Sequence, residues 1–154
     1  MSEGRMPVVV GIDPSIRNTA VVCGREPGEL AHYVFPSDPK GSDIVSRITR
    51  FDLVVQRIDQ VLNGWDPDVV LIEGYSNASR GRHNDIAEYG GLLRAMLIRY
   101  TGHASECPPS TLKKFATGKG NASKTVVGAK LANRYGVDFD SDDEYDAYAL
   151  WRGS

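Results

Sequence analysis

Short runs of apolar, mostly β-branched residues open the chain. Residues 8–12 form one such run, which ends at Asp13; residues 19–23 form a second, and residues 30–35 form a third that Pro36 closes. Apolar runs of this length between turn residues are typical of β-strands. The start of the chain therefore predicts a three-stranded antiparallel meander.

The next segment changes to helical spacing. Apolar residues recur there at alternating steps of four and three, which places them on one face of a helix: Ile44, Ile48, Phe51, Val55, Ile58 and Leu62. Ser42 or Asp43 can cap this helix and Asn63-Gly64 can end it. Residues 68–73 have an apolar core that lacks alternation and is too short for a helix, so they predict a buried strand that ends at Glu73.

The second half continues the alternation of helices and strands. The patterns predict a helix over 84–100 containing Gly90-Gly91, a short strand over 103–107, and helices over 110–115 and 122–135. A final helix is predicted from about Ser141 to about Trp151, because Ser141 and Glu144 have the spacing of a capping box. This order predicts an α/β protein with a five-stranded mixed sheet, three antiparallel strands followed by parallel ones, flanked by helices. A right-handed crossover would place the strand of Glu73 parallel to and beside the strand of Asp13.

Composition adds few constraints. A chain of 154 residues with 41% hydrophobic and 25% charged residues is typical of a single globular domain, here residues 1–154. Cys23 and Cys107 have no CxxC spacing, and we expect both to be reduced. No apolar stretch approaches the roughly 18 residues that span a bilayer. These features predict a cytoplasmic protein with no membrane partner.

Charge is segregated along the chain, although the net charge is only −2. Residues 77–134 hold ten Lys/Arg against three acids, whereas residues 135–154 hold six acids against Arg152. A basic stretch beside an acidic cluster suits an enzyme that binds phosphates and metal. Ordinary solvated faces are the alternative reading.

Four carboxylates stand out from the other acids. Asp13 and Glu73 end two strands predicted to be neighbours, and Asp143 and Asp146 are three residues apart on one helical face. Convergent carboxylates favour a hard cation such as magnesium or manganese. Each also has a simpler explanation: Asp13 can open a turn, Glu73 can mark a strand end in solvent, and Asp143 can respond to the helix dipole. We interpret four further acids as caps or loop residues: Asp138, Asp140, Asp142 and Glu144.

These segments resemble the RuvC-type Holliday junction resolvases, which have the RNase H-like, retroviral-integrase-like fold. The resemblance rests on four motifs in the family's order along almost the whole chain: Val9-Val10-Gly11-Ile12-Asp13-Pro14-Ser15, Leu71-Ile72-Glu73, the basic stretch from Leu112-Lys113-Lys114 to Asn121-Ala122-Ser123-Lys124, and Asp143-Glu144-Tyr145-Asp146-Ala147-Tyr148-Ala149-Leu150. It suggests a compact phage-type or bacterial member. Two positions depart from the family pattern, with Tyr75 where a phenylalanine is usual and Lys119 between the glycines of the basic loop.

The resemblance implies a crossover junction endodeoxyribonuclease that cuts four-way DNA junctions with two Mg²⁺ ions, for which Mn²⁺ would substitute, in recombination, repair or phage DNA processing. Asp13 would bridge the ions, the other three carboxylates would complete their shells, and Lys124 would stabilise charge on the phosphate, with Lys113 as a second candidate. The remaining DNA contacts would be phosphate contacts from basic side chains and base stacking from Tyr75: Arg80, Arg82, Lys114 and Lys119 for the phosphates.

Symmetrical cutting of a four-way junction suits a two-fold homodimer. The apolar stripe and paired glycines of residues 84–100 are the candidate dimer face, with core packing as the competing explanation. The same fold could instead act on flaps or forks. Less favoured alternatives are an actin-like ATP-binding domain, because the first hairpin also resembles a phosphate loop, and a DNA-binding module without catalysis. We expect no nucleotide cofactor.

Overall fold

The computed structural model describes residues 4–25, 28–37, 41–75, 83–100 and 104–153. Its elements follow the predicted order: β1 Val9–Asp13, β2 Asn18–Arg25, β3 Glu29–Pro36, α1 Ile44–Trp65, β4 Val69–Glu73, α2 His83–Leu97, β5 Ala104–Cys107, α3 Pro109–Thr117, α4 Lys124–Tyr135 and α5 Asp142–Arg152. The strands form one sheet in the order β3-β2-β1-β4-β5. The pairs β1/β2 and β2/β3 are antiparallel, whereas β1/β4 and β4/β5 are parallel. The predicted fold class is confirmed.

Helices cover both faces of the sheet. On one face, α1 and α2 pack over the inward side chains of the strands, among them Val10, Ile12 and Val70. On the other face, α3, α4 and α5 form a second core with Ala20 and Val22. Since side chains alternate along a strand, Gly11, Asp13 and Glu73 share the face that α5 covers.

Gly11 allows α5 to pack directly on β1. A Cβ at Gly11 would lie 2.3 Å from the carbonyl oxygen of Ala147 and 2.7 Å from the backbone nitrogen of Trp151. Only glycine permits this approach, because both neighbours are backbone atoms that cannot turn aside. The close packing brings the carboxylates of α5 up to the strand that ends at Asp13.

Several helix ends differ from the prediction, among them the C-terminal ends of α1 and α2. Asn63-Gly64 does not end α1, which continues to Trp65 and is capped by Asp66 in the left-handed region at φ 51°. The Trp65 side chain packs on the core and donates a hydrogen bond to Tyr33 Oη at 3.1 Å, and this contact outweighs the roughly 1 kcal/mol that an interior glycine costs. The helix predicted over 84–100 ends at Leu97, where Tyr100 closes a turn by donating to the Leu97 carbonyl.

Two buried-face assignments also change. Ile44, predicted on the inner face of α1, is 68% exposed, because the first turn of the helix extends beyond the core. The apolar stripe of α2, the candidate dimer face, packs inside the protein instead: Tyr89, Leu93, Met96 and Leu97 are each at most 3% exposed. Core packing, the competing explanation, therefore accounts for that stripe.

Cys23 and Cys107 are both free thiols, as expected. Within the described part of the chain, no helix combines the length and apolarity needed to cross a membrane.

Candidate metal centre

The parallel pairing of β1 and β4 brings two acids together. Ile12 is in register with Ile72, so Asp13 and Glu73 follow side by side at the ends of their strands. Asp146 reaches the same point from the second turn of α5. One carboxylate oxygen from each of these three residues lies within 4.8 Å of the other two. This spacing suits joint coordination of a hard cation.

The fourth acid, Asp143, lies at the edge of the same group. It lines a cleft of about 310 Å³ together with Asp13, Glu73 and Lys124. The Ser141 side chain caps α5 and accepts a hydrogen bond from the Glu144 backbone at 3.2 Å. This cap fixes the first turn of α5, so that Asp143 and Asp146 approach Asp13 from one helical face.

Two oxygens of the centre have no hydrogen-bond partner. Among the described residues, Asp13 Oδ2 and Glu73 Oε2 are buried and unpaired. A buried carboxylate oxygen without a donor is costly unless a cation satisfies it. The residues present therefore fit a bound metal ion.

Burial and mutual repulsion disfavour ionisation of these acids. Burial, followed by the charges of Glu73, Asp143 and Asp146, raises the pKa of Asp13 well above its usual value. Burial and the charge of Asp146 raise the pKa of Glu73 to about 7, against the opposing charges of Lys124 and Lys113. Burial also raises the pKa of Asp146, which Lys124 partly offsets. The negative charge of the ionised carboxylates exceeds the positive charge beside them, so a divalent cation would stabilise the centre.

Lys124 supplies the nearest cation to the carboxylates. Its Nζ lies 4.0 Å from Asp143 Oδ1 and 4.0 Å from Asp146 Oδ2. Burial acts to lower its pKa, but the surrounding carboxylates outweigh that effect and raise it. Lys124 is the first residue of α4, after the cap Ser123, and stays charged at the mouth of the cleft.

Of the other predicted DNA-binding residues, two lie beside this centre. Lys113 on α3 is close enough to influence Glu73, and Tyr75 lines the cleft. Lys114 and Lys119 are exposed on α3 and on the loop that follows it. Arg80 and Arg82 lie outside the described residues.

Sequence patterns missed three features of the site. Arg17 and Arg94 line the cleft; Arg17 follows the strand end of Asp13 by four residues, a position that could have suggested it. Glu144, interpreted only as a cap, is 3% exposed and also pairs with His32 on β3, its Oε2 lying 2.7 Å from Nδ1. No local pattern links residues 32 and 144, because their contact depends on how α5 packs on the sheet.

The chain is similar to proteins that share one name. No protein-family model matches the chain. The chain is 26% identical over 147 residues to the crossover junction endodeoxyribonuclease RuvC of Rickettsia prowazekii (strain Madrid E), covering 93% of each protein. The corresponding protein of Rickettsia typhi is 24% identical, again over 93% of each.

Solved structures share the fold. Thermus thermophilus RuvC in complex with a Holliday junction substrate matches with a TM-score of 0.73 and 20% identity, over 94% of this chain and 90% of that chain. The fowlpox virus Holliday junction resolvase matches with a TM-score of 0.54 and 14% identity, over 95% and 96%. Both are resolvases, and the predicted RNase H-like arrangement is confirmed.

Proposed function

This chain is RuvC-like in sequence and fold, and from this premise we propose that it is a structure-specific DNA endonuclease that resolves four-way junctions. The observation that carries the proposal is the cluster of Asp13, Glu73 and Asp146, with two buried oxygens that have no partner among the described residues. A carboxylate cluster that can hold divalent metal ions suits hydrolysis of a phosphodiester, and the basic residues around it suit a polyanionic substrate.

We infer that the centre holds magnesium, two ions in the active enzyme, with manganese able to substitute. Ions bound there would supply a reactive hydroxide for in-line attack and neutralise charge on the leaving oxygen. Asp13, Glu73, Asp143 and Asp146 would hold the ions, and Asp13 is our candidate for a ligand that both ions would share.

The surrounding side chains handle the substrate. Lys124 at the mouth of the cleft stabilises negative charge on the scissile phosphate, and Lys113 supports the same region. Lys114, Lys119, Arg80 and Arg82 contact the DNA backbone, and Tyr75 stacks on a base near the cut. Residues 1–154 act as one nuclease domain in the cytoplasm.

A homodimer would place two such centres on the two strands of one junction. The buried stripe of α2 is occupied by the core, so the proposed dimer uses another surface. Light scattering of the free protein and of its junction complex would test this assembly. A complex of one chain per junction would contradict it.

The decisive experiment uses matched substrates and metals. We expect the protein to cut a four-way junction in magnesium, but only to bind it in calcium or EDTA, and to cut duplex DNA poorly. Three-way and flap substrates measure how strictly the branch is recognised; preferential cutting of flaps would replace the junction by another branched DNA. If no branched substrate is cut in magnesium by the folded protein, the nuclease proposal fails.

A further inference from the structure

The Tyr75 side chain has an unusual setting beside the metal centre. It lines the same cleft as Asp13 and Glu73 and is 47% exposed. The guanidinium carbon of Arg94, on α2, lies 4.2 Å from the centroid of the Tyr75 ring. At this distance the cation covers the ring and is attracted to its π-electrons, while much of the ring remains accessible.

Arg94 is itself fixed by three contacts. Its Nε donates to Glu106 Oε1 at 2.5 Å, its Nη1 donates to the Gly90 carbonyl at 3.2 Å, and its Nη2 donates weakly to the Glu73 carbonyl at 3.4 Å. The side chain of Arg94 is only 19% exposed. A planar guanidinium held in this way connects the ring to the backbone of a candidate metal ligand.

Gly90 provides the space in which the ring and the guanidinium meet. A Cβ at Gly90 would lie 2.5 Å from Tyr75 Oη, 2.9 Å from Tyr75 Cε1 and 2.7 Å from Arg94 Nη1. These atoms belong to side chains, so a methyl group there would displace them and leave α2 intact. By contrast, a Cβ at Gly64 on α1 would meet nothing within 4 Å.

We propose that Arg94 is a positioning residue that, with Gly90, holds Tyr75 as a one-sided stacking platform for an unpaired base at the branch point. One side of the ring is taken by the guanidinium, and the accessible side is presented to the DNA beside the carboxylates. This inference rests on the proposed function and adds how the substrate is recognised. Stacking on a base is sequence-tolerant, so the platform selects an unpaired base and not a particular one.

The test places the fluorescent base 2-aminopurine at the branch point of a four-way junction bound in calcium, where cleavage is blocked. We expect Tyr75→Ala to abolish the fluorescence change that stacking causes in the wild type, and Arg94→Ala and Gly90→Ala to remove most of it. Gly64→Ala is the matched control and should keep it. Single-turnover cleavage in magnesium should fall about 10-fold for Arg94→Ala and Gly90→Ala. Arg94→Lys should retain more activity than Arg94→Met, because it keeps a cation.

A double mutant separates positioning from direct DNA contact. If Arg94 acts through the ring, Arg94→Ala causes no further loss in the Tyr75→Ala background. Losses that multiply would show that Arg94 contacts DNA itself and would overturn the proposal. Metal affinity should be that of Gly64→Ala, because none of these substitutions changes a carboxylate of the centre.

Failure of this inference differs from failure of the proposed function. A wild type that cuts the junction, with Arg94→Ala and Gly90→Ala variants that stack and cut like Gly64→Ala, overturns the platform and leaves the nuclease intact. A wild-type protein that neither binds nor cuts any branched DNA would contradict both the stacking platform and the nuclease proposal.

Discussion

The carboxylate centre and the basic rim, by which we mean Lys114 and Lys119, are built in opposite ways. Asp13 and Asp146 are buried, at 6% and 8% exposed, and their positions are set by strand register and by the packing of α5. Lys114 and Lys119 are exposed. Burial makes each acid sensitive to its neighbours, whereas an exposed lysine interacts through screened charge. Single substitutions in the centre should therefore change the cleavage rate strongly, whereas single substitutions in the rim should change junction binding only slightly.

The sharpest contrast is expected at Asp13. Asp13→Asn should reduce junction cleavage in magnesium about 1,000-fold or more, because a carboxylate of the proposed metal site is lost, while junction binding in calcium is retained. Gel-based single-turnover cleavage and binding titrations measure the two effects. Asp138→Asn, which changes an exposed loop acid, is the control. Cleavage equal to that control would remove Asp13 from the centre.

Lys124 tests whether a charged residue beside the carboxylates affects the cleavage rate, as the centre does, or the affinity for DNA, as the rim does. Lys124→Met should lower the cleavage rate about 100-fold with little change in junction affinity, because its charge acts on the scissile phosphate. Lys130→Met, on the exposed side of the same helix, should retain the wild-type rate. An affinity loss without a rate loss would place Lys124 in the rim.

Metal-free stability should depend on pH through the carboxylates of the centre. The pKa of Glu73 is raised from 4.5 to about 7 by burial first and by Asp146 next, so the folded state holds its proton more tightly than the unfolded state. In EDTA, the melting temperature should fall as pH rises from 4.5 through about 7. Glu73→Gln should make the melting temperature depend less on pH over this range.

Magnesium should counter the same effect, because it binds the ionised folded state. Glu29→Gln, an exposed acid at the far end of the sheet, serves as the control and should keep the wild-type slope. A wild-type melting temperature that rises with pH in EDTA would contradict the electrostatic description of the centre.

The smallest effects are expected on the rim. Lys114→Ala and Lys119→Ala should each weaken junction binding a few-fold, and each should reduce the slope of log affinity against log salt by about 1, because one phosphate contact is lost. Arg25→Ala removes the same charge at the opposite end of β2 and should leave the slope unchanged. Equal slopes for all three variants would show that overall charge, and not this rim, attracts the DNA.

The same contrast explains what the sequence could predict. Strand ends and helical spacing located Asp13, Glu73, Asp143 and Asp146, since each position follows from local periodicity and one crossover rule. The contact of Arg94 with Tyr75 could not be predicted, because it depends on the angle of α2 and on the space left by Gly90. The continuation of α1 past Gly64 also depends on a distant partner, Tyr33.

The docking of α5 on Gly11 has a consequence for synthesis. Two of the four carboxylates reach the centre only when residues 142–152 have left the ribosome and packed against β1, whereas the sheet strands emerge much earlier. A nascent chain that has folded its first meander already carries Asp13, but it cannot yet assemble the ligand set. An incomplete translation product that stops before α5 therefore lacks two of the four carboxylates.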